Sequence, residues 1–209
     1  MDRYQETFDT YDKLATAYQD KFMYMELYND TYDRFIALID NPHANILEIA
    51  CGPGNITKYL LSKQPDYCIT ATDAAPKMVQ LAQLNNPAAH CTVMDCRHMD
   101  ALAGPYDGIM CGFCMPYLSK DDCAKLVNDC AKLLPENGVL YLSAIEGDYN
   151  TSGYETSSNG DKMYVYNHEP AYLQQLLQLH HFTSIELMRK EYTTGDGTQS
   201  IHMVFIAKR

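Results

Sequence analysis

The stretch from Ile46 to Thr57, ILEIACGPGNIT, constrains the fold more than any other part of the chain. One acid, Glu48, interrupts an apolar run, and small residues follow it at once with only Gly52 and Gly54 as glycines. A helical pattern then begins at Asn55. The pattern reads as a buried strand, a tight turn and a helix start.

The same unit recurs downstream. Strands are expected at Ile46 to Ala50, Cys68 to Thr72, His90 to Met94, Tyr106 to Cys111 and Gly138 to Ala144. Helices are expected between them at Asn55 to Ser62, Pro76 to Leu84 and Lys120 to Leu134, with Gly or Pro at the joints. Repeats of this length imply a parallel sheet covered by helices on both faces. After a helix at Ala171 to His180, the runs FTSIELMRKEY and QSIHMVFIAKR flank TTGDGT, which favours an antiparallel hairpin. Residues 1–44 carry one or two amphipathic helices, with Tyr4, Tyr11 and Tyr18 seven apart and Phe8, Leu14, Ala15 and Phe22 on the same face. The expected architecture is an α/β three-layer sandwich: a mostly parallel seven-stranded sheet closed by an antiparallel C-terminal hairpin, plus an N-terminal helical cap. Residues 1–44 would form the cap or lid and residues 45–209 the main domain. Residues 146–170 form the long polar loop, and such loops are usually functional or disordered.

Composition narrows the class. With 27 acidic against 16 basic residues, the formal charge of −11 repels a phosphate backbone and argues against a nucleic-acid partner. No uncharged apolar run approaches the roughly 18 residues of a membrane span, and Met1 to Thr10 lacks a basic or apolar leader. Eight cysteines at irregular positions fit reduced, buried thiols better than a disulfide framework, so the expected compartment is the cytoplasm.

A strand entering a Gly-x-Gly turn and then a helix aims backbone N–H groups and the positive helix end at whatever lies over the strand carboxyl ends. Asp73 ends the second strand about 20 residues after the turn, where a carboxylate accepts both hydroxyls of a ribose. An adenosine with a free 2′-OH fits this spacing. The turn lacks the third glycine of the dinucleotide fingerprint, and it lacks the Lys and Ser/Thr of a phosphate loop. Asp73 is also placed to cap the helix that starts near Pro76.

From Asn45 to Arg209 the chain resembles the class I S-adenosylmethionine-dependent methyltransferases. The resemblance rests on EIACGPG, where Glu48, Gly52 and Gly54 match the family's acid-hydrophobic-Gly-x-Gly-x-Gly pattern, and on ITATDAAPKM and VMDCRHMD. It implies S-adenosyl-L-methionine as cofactor and a small-molecule acceptor. The implied cofactor-binding residues are Glu48, Ala50, Cys51, Gly52 and Gly54 around the turn, Asp73, Ala74 and Met78 at the ribose, and Asp95 and Cys96 at the adenine edge. Ala50 stands where the family has its first glycine. The resemblance also places Cys111, Gly112 and Phe113 near the reactive methyl, and makes Tyr11 and Tyr18 part of a lid, although a helix packing stripe would read the same way.

For the acceptor, the expected residues are Phe113, Tyr117, Glu146, Tyr149 and His168. His168, the imidazole of the long loop, is the candidate general base, with a structural helix-start role as its alternative. Cys111 and Cys114 have metal-ligand or redox spacing, but no second pair completes a tetrahedral site, so no metal is expected. Two other functions remain open at this stage: a non-catalytic binder of S-adenosylmethionine or S-adenosylhomocysteine, and a nicotinamide-dependent oxidoreductase on a similar sheet.

Overall fold

The computed structural model describes residues 3–156, 160–194 and 197–209. Two helices, α1 (Arg3–Phe22) and α2 (Asn29–Ala37), precede the alternating region. That region then runs β1 (Asn45–Ile49), α3 (Asn55–Lys63), β2 (Cys68–Asp73), α4 (Pro76–Asn85), β3 (His90–Val93), β4 (Gly108–Cys111), α5 (Lys120–Leu133) and β5 (Val139–Glu146). Local chemistry fixes several of these starts. Pro76 opens α4 with its φ already helical and no N–H to lose. Ser119 caps α5 through its Oγ, which accepts from Asp122 N at 3.2 Å, with Asp121 and Asp122 in the first turn.

The chain continues through β6 (Gly153–Thr156), β7 (Lys162–Val165), β8 (Asn167–His168), α6 (Pro170–Leu179), β9 (Thr183–Thr193) and β10 (Gln199–Lys208). The main sheet has the order β3-β2-β1-β4-β5-β10-β9, parallel from β3 to β5 and antiparallel across β10 and β9. This is the expected seven-strand path with its antiparallel close. The two-residue β8 adds an eighth strand, parallel to β5 at Ile145 and Glu146, beyond the Leu142 position where β4 pairing ends. Gly195 and Asp196 of the TTGDGT connector, Met1 and Asp2 of the cap, and residues 157–159 lie outside the described residues.

Residues 146–170 depart from the irregular loop read from the sequence. They hold a short 3₁₀ turn at Tyr149–Thr151, then β6 and β7 paired antiparallel as a separate two-stranded sheet. Tyr154 and Tyr164 face each other in register across it, with ring centroids 5.1 Å apart. Cross-strand aromatic pairs of this kind stabilise short strands that polar composition alone would assign to coil.

Period-two alternation divides the core between two helix layers. Ile46, Met110, Tyr141, Val204 and Ile206 pack with Tyr32 and Phe35 of α2 and Leu60 of α3. Leu47, Ile109, Leu140, Leu142 and Phe205 pack on the other face with Leu126 and Val127 of α5 and Leu177 of α6. Helix α1 touches the second layer through Tyr4, while its Ala15 packs on Ala75 and on Met78 of α4. It thereby crosses the carboxyl-end side of the sheet. Order reverses between β2-β1 and β4-β5, which opens the crevice where ligands bind in open α/β sheets.

Phe35 is fully buried, and its ring stands edge-on to Tyr141 at 6.2 Å. Phe35→Ala is expected to lower unfolding free energy by about 3–5 kcal/mol in urea denaturation. A loss under about 1 kcal/mol would contradict this packing.

Candidate active site

At the carboxyl ends of β1 and β4 the backbone is forced into the left-handed region twice, at Ala50 (φ 55°) and Phe113 (φ 58°). Side chains rarely accept that conformation, and it concentrates at functional turns. Phe113 N is held there by Ser143 Oγ at 2.7 Å. Between these points Gly52 adopts φ 54°, and a Cβ added to it would stand 3.6 Å from the Tyr18 ring, so α1 lies directly over the turn.

Asp73 joins the β1–α3 turn to the segment before α4 at the crevice floor. One carboxylate oxygen accepts from Gly52 N and the other from Ala75 N, each at 2.9 Å. Burial raises this carboxyl above the ordinary range, against N–H bonds from Ala75, Gly52 and Ala74 that lower it. At the end of β3, Asp95 takes three bonds of 2.6–3.1 Å from the Arg97 side chain and caps its own turn through Arg97 N. Burial works to raise Asp95, but the Arg97 bonds and charge outweigh it and hold the carboxyl below its usual range.

Over these groups α1 sets Tyr4, Phe8, Tyr11 and Tyr18 along one face. The Tyr11 and Tyr117 hydroxyls bond each other, and their rings meet edge-to-face at 5.2 Å. Tyr4 donates its hydroxyl to Asp122 and accepts from Ser119 N at 3.3 Å, while the Arg97 guanidinium lies 3.9 Å over its ring. Further ties fix the helix flanks: Thr10 Oγ1 donates to Lys162 O at 2.8 Å, and Lys77 N donates to Asp12 at 2.7 Å. The result is a roofed cavity of about 760 Å³ of atom-free space, its open mouth included. Burial raises the Tyr11, Tyr18 and Tyr117 phenols, Tyr117 to about 12, so all three are neutral donors at physiological pH.

Residues 46–138 match the family model of a methyltransferase domain. That match spans under half of the chain, so it describes this stretch and not the whole chain. A malonyl-[acyl-carrier protein] O-methyltransferase of Acetivibrio thermocellus is 32% identical over 101 residues, which is 47% of this chain and 35% of that protein. A trans-aconitate 2-methyltransferase of Mycobacterium marinum is 42% identical over 38 residues, 18% of this chain and 14% of its own. The chain thus spans well under two thirds of the length of these curated relatives. Among solved structures, the Burkholderia thailandensis 1,6-didemethyltoxoflavin-N1-methyltransferase, bound to that compound and S-adenosylhomocysteine, superposes with a TM-score of 0.73. It has 18% identity, with coverage of 99% of this chain and 88% of that one. A Synechocystis magnesium protoporphyrin IX methyltransferase with bound S-adenosylhomocysteine gives 0.64 at 17% identity, covering 88% of this chain and 84% of that one. At such identities the likeness speaks for the fold.

The residues expected at the cofactor divide into two groups. Tyr11, Tyr18, Ala50, Gly52, Asp73, Ala74, Met78, Asp95, Cys96 and Gly112 line the cavity. Glu48, Cys51, Gly54 and Cys111 do not; they lie beneath its floor. Glu48 is buried and accepts from Thr57 Oγ1, with its second oxygen unpartnered among the described residues. Gly54 serves packing: a Cβ there would meet Asn86 Nδ2 at 2.3 Å and Ala82 Cα at 3.1 Å. Cys51 and Cys111 are buried thiols at strand ends.

The acceptor residues divide as well. Phe113 and Tyr117 line the cavity, whereas Glu146, Tyr149 and His168 stand away from it. Glu146 is paired with Arg189 at 2.6 Å. Tyr149 is stacked on Tyr166 at 5.7 Å under the Lys120 ammonium. His168 has no solvent exposure, and its Nε2 lies 3.0 Å from Met115 O. Burial pushes its imidazole below the usual range. The general-base reading of His168 is therefore corrected to a core histidine, placed there because β8 adds to the sheet and draws the residue inward. Tyr4, Thr7, Phe8, Ala75, Met94, Cys114 and Leu118 line the cavity without having been expected there. The i, i+4, i+7 spacing of Tyr4, Phe8 and Tyr11 was the available signal for the helix residues.

Burial pushes the Glu48 carboxyl from 4.5 up to about 8. The native state then holds a proton that the unfolded chain releases, so stability from this group is full below about pH 4.5, shrinks as pH rises, and is gone above about 8. Glu48→Gln, permanently neutral, is expected to gain melting temperature over the parent protein by on the order of a few °C, with the gain growing across that window. A gain that shrinks between pH 5 and 8 would contradict the assignment.

Proposed function

We propose that the protein transfers the sulfonium methyl of S-adenosyl-L-methionine to a small-molecule acceptor. The observation that carries this reading is the convergence of Gly52, Asp73 and Asp95 with the α1 aromatics on one roofed cavity at the sheet's switch point. When bound, the cofactor supplies an already activated methyl group, so the chain has little covalent chemistry to perform.

The residues suit that division of labour. Asp73 would hold the ribose hydroxyls, its carboxylate already fixed by Gly52 N and Ala75 N. Asp95, with Met94 and Cys96 beside it, would meet the adenine edge, and Met78 packs behind Asp73. The rings of Tyr11, Tyr18 and Phe113 present electron-rich faces that attract a sulfonium cation. Helix α1 excludes water and narrows the approach to one direction, which is how alignment accelerates a displacement without an obligatory acid or base. We further propose that residues 1–44 act as the lid of a domain formed by residues 45–209. No described helix is long and apolar enough to cross a membrane. The eight cysteines are all free thiols, which supports a reducing, cytoplasmic setting.

The test is calorimetric titration with S-adenosylmethionine, S-adenosylhomocysteine and NADH. Binding of the first two and not the third is expected, and Asp73→Ala should weaken both by roughly 10- to 100-fold, the scale of lost hydrogen bonds to a charged group. Binding of NADH alone, or unchanged affinity in a folded Asp73→Ala variant, would overturn the reading.

A further inference from the structure

The cavity also restricts what can receive the methyl group, an inference that rests on the methyltransferase reading above. Three features act together. First, six of its lining residues are aromatic: Tyr4, Phe8, Tyr11, Tyr18, Phe113 and Tyr117. Tyr11 stands edge-on to Tyr18 at 5.8 Å and 79°, and edge-on to Tyr117 at 5.2 Å and 72°. These edge-to-face contacts fix the rings in the wall, where their outward faces and edges offer stacking and T-shaped contacts to a flat, unsaturated guest.

Second, no Lys, Arg or His among the described residues lines the cavity, whereas Asp73 and Asp95 do. The nearby Arg97 guanidinium is committed to Asp95 and lies over the Tyr4 ring. At the opposite end, the charge of exposed Glu155 on the β6–β7 sheet reaches the Tyr11 and Tyr117 phenols. An anionic acceptor would meet the Asp73 and Glu155 carboxylates and no lining side-chain cation among the described residues, a costly arrangement at low dielectric.

Third, nothing in the wall takes a proton at neutral pH. Both Asp73 oxygens already accept backbone N–H groups, and Asp95 is paired with Arg97. The phenols hold their protons far above neutrality, as do the Cys96 and Cys114 thiols. The buried imidazoles of His168 and His202 stand outside the cavity, His202 bonded to Tyr28 and Ser200. An alcohol or phenol acceptor requires removal of its proton as the new bond forms. A neutral lone pair does not.

We propose that the acceptor is an uncharged nitrogen on a flat, unsaturated ring. Its lone pair forms the N–CH₃ bond as the methyl–sulfur bond breaks, and the positive charge passes from sulfur to nitrogen. A ring nitrogen without hydrogen keeps that charge; an amine releases its proton to water. The aromatic faces and the acidic surroundings favour the cation on both sides of the transfer.

Quinoline, 1-naphthol and 1-naphthoate share one bicyclic outline and differ in the nucleophile, so they make a matched set of probes. The full-length protein is first titrated with S-adenosylhomocysteine, then the loaded protein with each probe at neutral pH, and methyl transfer from S-adenosylmethionine is followed by mass spectrometry. Quinoline is expected to bind at least about tenfold more tightly than 1-naphthoate, about 1.4 kcal/mol, and to yield N-methylquinolinium. Equal or tighter binding of 1-naphthoate, or methylated 1-naphthol or 1-naphthoate as the main product, would overturn the acceptor assignment while leaving the methyltransferase reading intact. Failure to bind S-adenosylhomocysteine at all would instead remove the reading itself, and the acceptor assignment with it.

Discussion

The carboxylate of Asp73 is the point on which the crevice depends. It bonds the N–H of Gly52 in the β1–α3 turn and that of Ala75 before α4, so two loops that meet only at the sheet's carboxyl edge are locked together by one side chain. Neighbouring bonds reinforce the arrangement: Asn85 Nδ2 donates to Pro53 O at 2.8 Å, and Asn86 Nδ2 to Gly54 O at 2.9 Å. The turn is thus built rigid, with Ala50 and Gly52 both in the left-handed region. Rigid turns at a switch point are what an open α/β sheet needs in order to present backbone donors to a ligand.

The roof is held differently. Helix α1 packs at the start of α4 through Ala15 against Ala75 and Met78, and is further tied by polar groups: Tyr4 to Asp122, Tyr11 to Tyr117, Thr10 to Lys162, Asp12 to Lys77 and Lys13 to Asp161. Few apolar side chains are committed on this side compared with α2, whose Phe35 and Tyr32 enter the main core. Polar latches over a thin apolar contact open at lower free energy than a core helix does. That asymmetry would suit the lid role proposed for this element. Under the proposed methyl transfer the demand on the chain would be geometric, and its aromatic wall would serve both alignment and the stabilisation of a migrating positive charge.

Most of the fold was legible in the sequence because the strands are short, buried runs separated by helices of clear period. β1, β2, α4 and α5 begin and end within a residue or so of their expected bounds. β4 starts later, at Gly108, because Asp107 is used to join edges: its N donates to Asn45 O at 2.8 Å. The 146–170 segment was misread because hairpin pairing between Tyr154 and Tyr164 is a contact ten residues apart that composition does not reveal. At the site, residues on loop ends, such as Gly52, Asp73 and Gly112, were found by motif spacing. Glu48, Cys51, Gly54 and Cys111 share those motifs yet face inward, since a motif records neighbours along the chain and not the direction of a side chain. For His168 the structure favours a structural role, its alternative reading, but as a core histidine: it is buried with Nε2 3.0 Å from Met115 O.

The most direct test of the account is a diffraction structure of the protein crystallised with S-adenosylhomocysteine. The account predicts the ribose hydroxyls on Asp73, the adenine beside Asp95 and Cys96, and the sulfur facing Gly112 and Phe113 beneath Tyr11 and Tyr18. A ligand bound elsewhere on the chain, or one in the cavity whose ribose leaves Asp73 untouched, would contradict it.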